Sequence, residues 1–480
     1  MHRKPSRTTS TAIVVAVAVL VAGGCAAPGS TGAPGPRATA GASAASGTTP
    51  NPVATAIARP TLVGFARLDA ETWAEGPTSG RFVAPANGVV PPFGSRVPVQ
   101  GFSSVIAGPR PGTFRVLVDN GFGTRANSPD VVLRAYAVRP EFRSAAGGDG
   151  RVVPVGFDDG RPRRTFDART WLALSDPGRR LGYPAVADAE TYPYAGTGPG
   201  APGAPVDPRV RRERLLTGGD LDPEEFARDA RGRYWFGDEF GPFLVVTDAR
   251  GRLLAPPVSV PVPPPLPAAP DAPVRSPQNP LLAGARPNAR ASAGFEAVAI
   301  PPGGTRLYAM LEAPLVGDPD PKRLPLYEFD TESMRFTGRV SHYRLSTEGT
   351  NVGGMAALDG HRLVVIERDS TQGDPNEPAR FPDPARHKKL YLVDLRATDA
   401  DGFLAKRELA NLLDVADPDD LDRDGRTRYT MPFVTIESVA VVDPRTLLVI
   451  NDNNFPGNGG RTTTAPEATE FALIRLPEPP

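Results

Sequence analysis

One local pattern recurs five times along this chain and restricts its fold more than any other feature. "TFRVLVDNGFG" ends its apolar run at Asp119, "RYWFGDEFGP" at Asp238 and Glu239, "RLYAMLEAPL" at Glu312, "RLVVIERDS" at Glu367 and "TLLVINDNNFP" at Asp452. Each run follows another short apolar segment across a turn signal such as "DARG", "PPGG" or "LDGH". Strand, turn, strand and acid at uneven intervals is the pattern of a β-propeller whose outer loops vary in length. "FLVVTDARGRLL" and "LPLYEFDTESMRFTGRV" extend two of the copies toward four strands each. The chain is therefore predicted to be all-β, a propeller of six blades. Five or seven remain as alternatives, because the interval after the first copy is long enough to hold another blade. The 50 glycines and 57 prolines among 480 residues favour short strands and many turns over helical bundles.

The first 60 residues stand apart. His2, Arg3, Lys4 and Arg7 precede an apolar stretch, Ala12 to Ala22, that is too short to span a bilayer comfortably, and "AGGC" ends at Cys25. This resembles a bacterial lipoprotein signal in which Cys25 is acylated, although Ala22 stands where a larger aliphatic residue is usual. A plain secretory signal or an uncleaved anchor is the alternative. Residues 26–60 are Ala, Gly, Ser, Thr and Pro with little to bury, which predicts a disordered tether. The folded domain is expected over 61–480. Export, with attachment to the outer face of the cell membrane or secretion, is the expected localisation. Cys25 is the only cysteine, so a disulfide framework, a Cys-ligated zinc and a catalytic thiol in the domain are excluded. Two biased stretches, 196–205 and 255–273, read as surface loops because proline donates no ladder bond.

Charge narrows the function. Lysine plus arginine and aspartate plus glutamate number 54 each, so no basic field marks a nucleic-acid partner. Three of the five copies carry a second acid at the start of the preceding strand: Glu224 in "DPEEF", Glu296 in "GFEAV" and Glu437 in "TIESV". The first strand of a blade lines the central channel, so acids at that register converge. Crowded carboxylates hold a cation or share protons. Oxygen donors from several blades suit Ca²⁺. Asp119, Asp238, Glu239, Glu312, Glu367 and Asp452 are the candidate metal ligands, and Glu224, Glu296 and Glu437 the candidate catalytic acids. The competing reading is ordinary turn chemistry and arginine pairing.

Longer segments carry a family likeness. "RRERLLTGGDLDPEEF", "WFGDEFGPFLVVTDARGRLL", "RSPQNP", "GFEAVAI", "VVIERD", "KKLYLVDL", "FVTIESVAVVD" with "LLVINDNNFP", and "DNGFGTRANSPDVVLRAY" together resemble the bacterial phytase-like, "esterase-like activity of phytase" family. The resemblance runs from about residue 60 to 475. It implies an exported or membrane-attached β-propeller with hydrolase activity on phosphate or carboxylic esters. Carried across by position, the matching acids are those named above together with Asp222. Where the family tends to read "IGD", this chain has Val352, Gly353 and Gly354, so an acid expected in that blade is missing.

These readings lead to an extracytoplasmic Ca²⁺-dependent hydrolase of phosphate monoesters or carboxylic esters, with no nucleotide or redox cofactor. Arg125, Arg275 and Arg368 are candidate substrate-binding cations, each with surface or inter-blade ion pairing as the alternative. A lactonase or arylesterase using one Ca²⁺ as Lewis acid is the second reading. A surface-tethered binding propeller with a structural ion is the third. A serine triad is disfavoured: no G-x-S-x-G occurs, and His342, His361 and His387 read as solvated. Separately, "DLDRDG" places Asp420, Asp422 and Asp424 at calcium-loop spacing with Gly425. Met431 stands at the twelfth position, where a complete EF-hand loop has Glu. That loop is either a partial, stabilising cation site or a solvated acidic turn.

Overall fold

The computed structural model describes residues 59–193, 203–269 and 271–480. Cys25, its signal segment, most of the 26–60 tether and most of the 196–205 loop lie outside the described residues.

Five four-stranded antiparallel units make up most of the domain: three are separate sheets, and the first and fifth join edge to edge, Arg67 beside Arg151, within one eleven-stranded sheet; a two-stranded hairpin, Trp73–Glu75 with Arg96–Pro98, stands apart. The first runs outward from Phe102–Ala107 through Phe114–Val118 and Arg134–Glu141 to Arg151–Pro154. Pro223–Arg228, Tyr234–Asp238, Phe243–Thr247 and Val258–Ser259 form the second. The third is Phe295–Ala299, Arg306–Leu311, Arg323–Asp330 and Arg335–Arg344. The fourth comprises Asn351–Ala357, Arg362–Arg368, Lys388–Thr398 and Leu404–Asn411. The fifth takes Ile436–Asp443, Thr446–Asn451 and Thr469–Arg475 from the C-terminal end and completes itself with Thr61–Leu68 from the N-terminal end. The five innermost strands neighbour one another in sequence order, and the last returns to the first. The ring is closed.

The second strand of each sheet is buried along most of its length on both faces, because the sheet packs between two others. Accordingly "YWFGD" and "FLVVT" are buried at every position, a continuous pattern in place of the alternation of a half-exposed strand. Five large hydrophobic clusters follow, one at each seam between neighbouring sheets. At the second seam Trp235 meets Phe329 edge-on, ring centroids 5.2 Å apart. Large aromatics suit this wedge, since one ring fills the space between diverging sheets.

The all-β propeller expectation holds, and among the described residues the ring of inner strands numbers five, the smaller alternative to the expected six. The long interval between Asp119 and Asp222 holds no further blade. It is spent on the two outer strands of the first sheet, an edge strand Trp171–Ala173 paired to the third of them, and a six-residue helix, Pro208–Glu213.

Candidate functional site

The acids of the inner strands are aimed by a repeated irregularity. In every sheet the pairing between the first and second strands skips one residue near the start of the first strand. The skipped residues are Ser103, Glu224, Glu296, Gly353 and Glu437. Such a β-bulge turns the unpaired residue away from the normal pleat. One residue past the second-strand partner of the residue before each bulge comes a second equivalent position, held by Asp119, Glu239, Glu312, Arg368 and Asp452. Four blades present a carboxylate there; the fourth presents a guanidinium.

All of these positions but Ser103 and Gly353 line a cavity of about 260 Å³. Eight carboxylates line it: Asp119, Asp222, Glu224, Glu239, Glu296, Glu312, Glu437 and Asp452, with Arg368 the one arginine or lysine in the wall. Asn120, Asn351 and Asn454 and the hydroxyls of Ser292, Ser370 and Thr435 complete the lining.

Arg368 divides the ring. Its Nη2 donates to Glu312 at 2.8 Å and to Glu296 and Glu437 at 3.2 Å each. Gly353 makes room for it: a Cβ there would lie 3.0 Å from Arg368 Nε and would overlap the Ile436 carbonyl oxygen. In the opposite half, one oxygen from each of Asp119, Asp222 and Glu224 falls within 4.8 Å of the others. Asp222 is 1 % exposed; its carboxyl group hydrogen-bonds to Asn120 and to Glu224, while its Oδ1 has no partner.

Burial raises the pKa of every carboxylate in the cavity, and the neighbouring acids raise most of them further. Asp222 and Asp452 are pushed up to about 6 and Glu296 to about 8, the last by burial and Glu312, against the pull of Arg368. Asp119, Glu224, Glu239 and Glu437 stand well above the ordinary carboxylate range, and Glu312 is raised. Glu296 and Glu437 share a hydrogen bond, so a proton is held between them. For Arg368, burial is outweighed by its three glutamates and the pKa rises.

The structure gathers most, but not all, of the expected residues. Of the adjacent pair in "GDEF", Glu239 lines the cavity, whereas Asp238 accepts from the Asp222 and Gly241 backbone N–H groups at 2.8 and 2.7 Å and fixes the turn. Glu367 faces away, into a buried cluster where it accepts from Tyr343 Oη at 2.5 Å and Lys406 Nζ at 2.6 Å, with His387 Nε2 at 2.9 Å. Burial alone would raise its pKa; His387, Lys406 and Tyr343 override that and hold it down at about 2. Its role is structural, because successive residues of a strand point to opposite sides and Arg368 takes the channel side. His387, read as solvated, is 4 % exposed for the same reason. Arg125 ties two loops, donating to the carbonyls of Gly219 at 2.8 Å and Gln278 at 3.1 Å, and Arg275 is not part of the cavity wall.

Asp222, which the sequence places only among the family-matching acids, is part of the cavity wall. Its signal is its place two residues before a bulge, where Asn351 and Thr435 also reach the cavity. The acid missing at Gly354 has a steric cause. A Cβ there would overlap the Glu437 carbonyl oxygen and come within 3.0 Å of Glu225 Oε1.

The sequence profile of the phytase-like family, described as esterase-like activity of phytase, matches residues 97–455. No curated protein matches the chain significantly. Among solved structures, a luciferin-regenerating enzyme is similar at 11 % identity and a TM-score of 0.33, covering 78 % of this chain and 94 % of its own. A GH43 endo-arabinanase from Bacillus licheniformis is similar at 11 % identity and a TM-score of 0.32, covering 78 % and 93 %. The Dos1 propeller is similar at 8 % identity and a TM-score of 0.29, covering 79 % and 68 %. Likenesses of that order are too distant to assign chemistry.

Proposed function

We propose, from the premise that this chain belongs to the phytase-like family, that its acidic channel is the active site of a Ca²⁺-dependent hydrolase of carboxylic or phosphate monoesters. The observation that supports this is the unequal neutralisation of the ring. Three glutamates share Arg368, while Asp119, Asp222 and Glu224 face one another with no guanidinium or ammonium among them and with a buried oxygen of Asp222 unpartnered. A buried carboxylate left so costs several kcal/mol unless it is protonated or meets a cation, of order 3–5 kcal/mol where a partner is lost.

Asp119, Asp222 and Glu224 would hold the ion, with Glu239 and Asp452 beside them. An all-oxygen donor set of this flexibility fits Ca²⁺ better than Zn²⁺. When bound, the ion supplies Lewis acidity toward an ester oxygen. The chain's own groups do the rest. The Glu296–Glu437 pair carries one proton near neutral pH, so its carboxylate is suited to take a proton from the water that attacks the ester carbon or phosphorus, and its carboxylic acid to give one to the alkoxide that then leaves. Arg368 keeps that pair from expelling an anionic transition state, and Asn120, Asn351 and Asn454 offer uncharged polar groups to orient the substrate.

One specific observation favours the one-ion lactonase or arylesterase reading over the phosphatase. Only one half of the ring lacks a cation, and eight carboxylates against one arginine repel a phosphate dianion more than a neutral ester. The test is turnover of p-nitrophenyl acetate, a lactone panel, p-nitrophenyl phosphate and phytate, each with Ca²⁺ and with EDTA. Calcium-dependent ester or lactone turnover supports the favoured reading, and phosphate-only turnover transfers it to the phosphatase. No turnover of any of them, with a melting temperature raised by calcium, leaves a binding propeller and defeats the hydrolase. The protein would act outside the cytoplasm, held by a lipid on Cys25. Loss of membrane-fraction protein and of labelled-palmitate incorporation in Cys25→Ser is the expected outcome.

A further inference from the structure

Outside the channel, a second group of acids lies where the ring is closed. We infer that the loop 417–427 binds a divalent cation, Ca²⁺ by its donor set, that clasps the seam between the N-terminal strand and the fifth sheet. One oxygen from each of Asp417, Asp420 and Asp422 lies within 4.8 Å of the others. The independent sign of a ligand is Asp417. It is 0 % exposed, its Oδ2 accepts from the Leu421 N–H at 2.8 Å, and its Oδ1 has no partner at all. A buried acceptor left unpaired costs about 1–3 kcal/mol, more when charged, and a cation in the loop removes that cost.

The ligand set differs from the one the D-x-D-x-D-G spacing suggests. Asp424 turns back to accept from the Arg426 N–H at 2.8 Å, and Asp417, three residues before the motif, takes its place in the cluster. The nearby arginines do not fill the site. Arg461 reaches Asp422 only at 3.9 Å and is committed to Glu470, donating to it at 2.9 and 3.0 Å. Arg143 donates to the Leu421 carbonyl oxygen, outside the carboxylate group.

The position gives the cation its consequence. The Ala416 N–H donates to the Pro60 carbonyl oxygen at 2.9 Å, and Thr61 pairs with Ala416 in parallel register just where Thr61–Leu68 enters the fifth sheet. The Asp417 N–H closes the loop on the Thr427 carbonyl oxygen at 2.9 Å. An ion that orders this loop therefore anchors the start of the closing strand, independently of any chemistry in the channel.

Limited trypsinolysis of the full chain, with calcium chloride as the probe, tests the site at Arg423, which is exposed in the loop. Calcium at ten times its dissociation constant is expected to slow cleavage after Arg423 about ten-fold, because it depletes the open loop by mass action. Asp420→Asn, a half-buried position that the fold tolerates more readily than Asp417, is expected to lose this protection, and Glu224→Gln in the channel to retain it. Unchanged cleavage in the wild type overturns the inference. So does equal protection in Asp420→Asn, or protection lost in Glu224→Gln and kept in Asp420→Asn, which assigns the ion to the channel.

Discussion

Arg368 donates to Glu312 at 2.8 Å although both occupy the same register position in neighbouring blades. A position that is basic in the fourth blade and acidic in the other four gives the channel an internal counter-ion and leaves the opposite half for an external one.

Removing that counter-ion exposes three buried glutamates to one another. Arg368→Gln is expected to lose about 3–5 kcal/mol of unfolding free energy at alkaline pH, the range for breaking a buried ion pair. The loss shrinks in acid, where the glutamates take up protons, so urea titrations on both sides of neutrality should diverge.

The channel makes the metal-free protein pH-sensitive in a defined direction. Glu296 has a folded pKa of about 8 against an ordinary 4.5, so its contribution is intact below 4.5 and is lost as pH rises through 8. Glu367, held at about 2, loses its contribution only as pH falls below 4.5 and does not oppose the trend. In EDTA the melting temperature should therefore fall from mildly acidic to alkaline conditions, and calcium should flatten the slope.

Ligand and proton-transfer roles separate in single variants. Asp222→Asn and Glu224→Gln are expected to weaken calcium binding by about ten-fold or more, at least the loss seen when an outer-shell partner is removed. Glu296→Gln is expected to lower kcat by about 100-fold or more, the contribution of a general acid or base, with calcium affinity kept. Calorimetric titration beside steady-state kinetics measures both.

Restoring an acid at Gly354 should fail to add a ligand. Gly354→Asp drives a Cβ into the Glu437 carbonyl oxygen, and overpacking of this kind costs about 1–3 kcal/mol. A lower melting temperature with unchanged calcium stoichiometry is the expected result; a gained calcium ion would show that the fifth blade's inner strand yields.

The sequence carried the repeat because each blade buries two faces and ends its second strand at the channel, which forces apolar runs to stop in polar residues. It did not reveal the bulges, since a skipped pairing depends on two strands together, and the recurrent polar residue two positions before each of three bulges, Asp222, Asn351 and Thr435, has meaning only once the register is known. That is why Glu367 looked equivalent to Asp119 and Asp452, while its neighbour Arg368 holds the channel position. Blade number was obscured for a related reason: the loops and edge strand between Asp119 and Asp222 are as long as a blade but pair with the first sheet. Asp238 and Glu239 were legible as a pair, and only the turn at Gly241 decides which of them enters the cavity.

The five bulges give the channel wall a modular grammar. A bulged residue has no cross-strand partner, so Glu224, Glu296 and Glu437 can each be exchanged without rewriting the ladder around them, whereas Gly353 is held to glycine by the Ile436 carbonyl oxygen. Substrate preference in such a ring can drift one blade at a time, each step a single codon, while the scaffold stays constant.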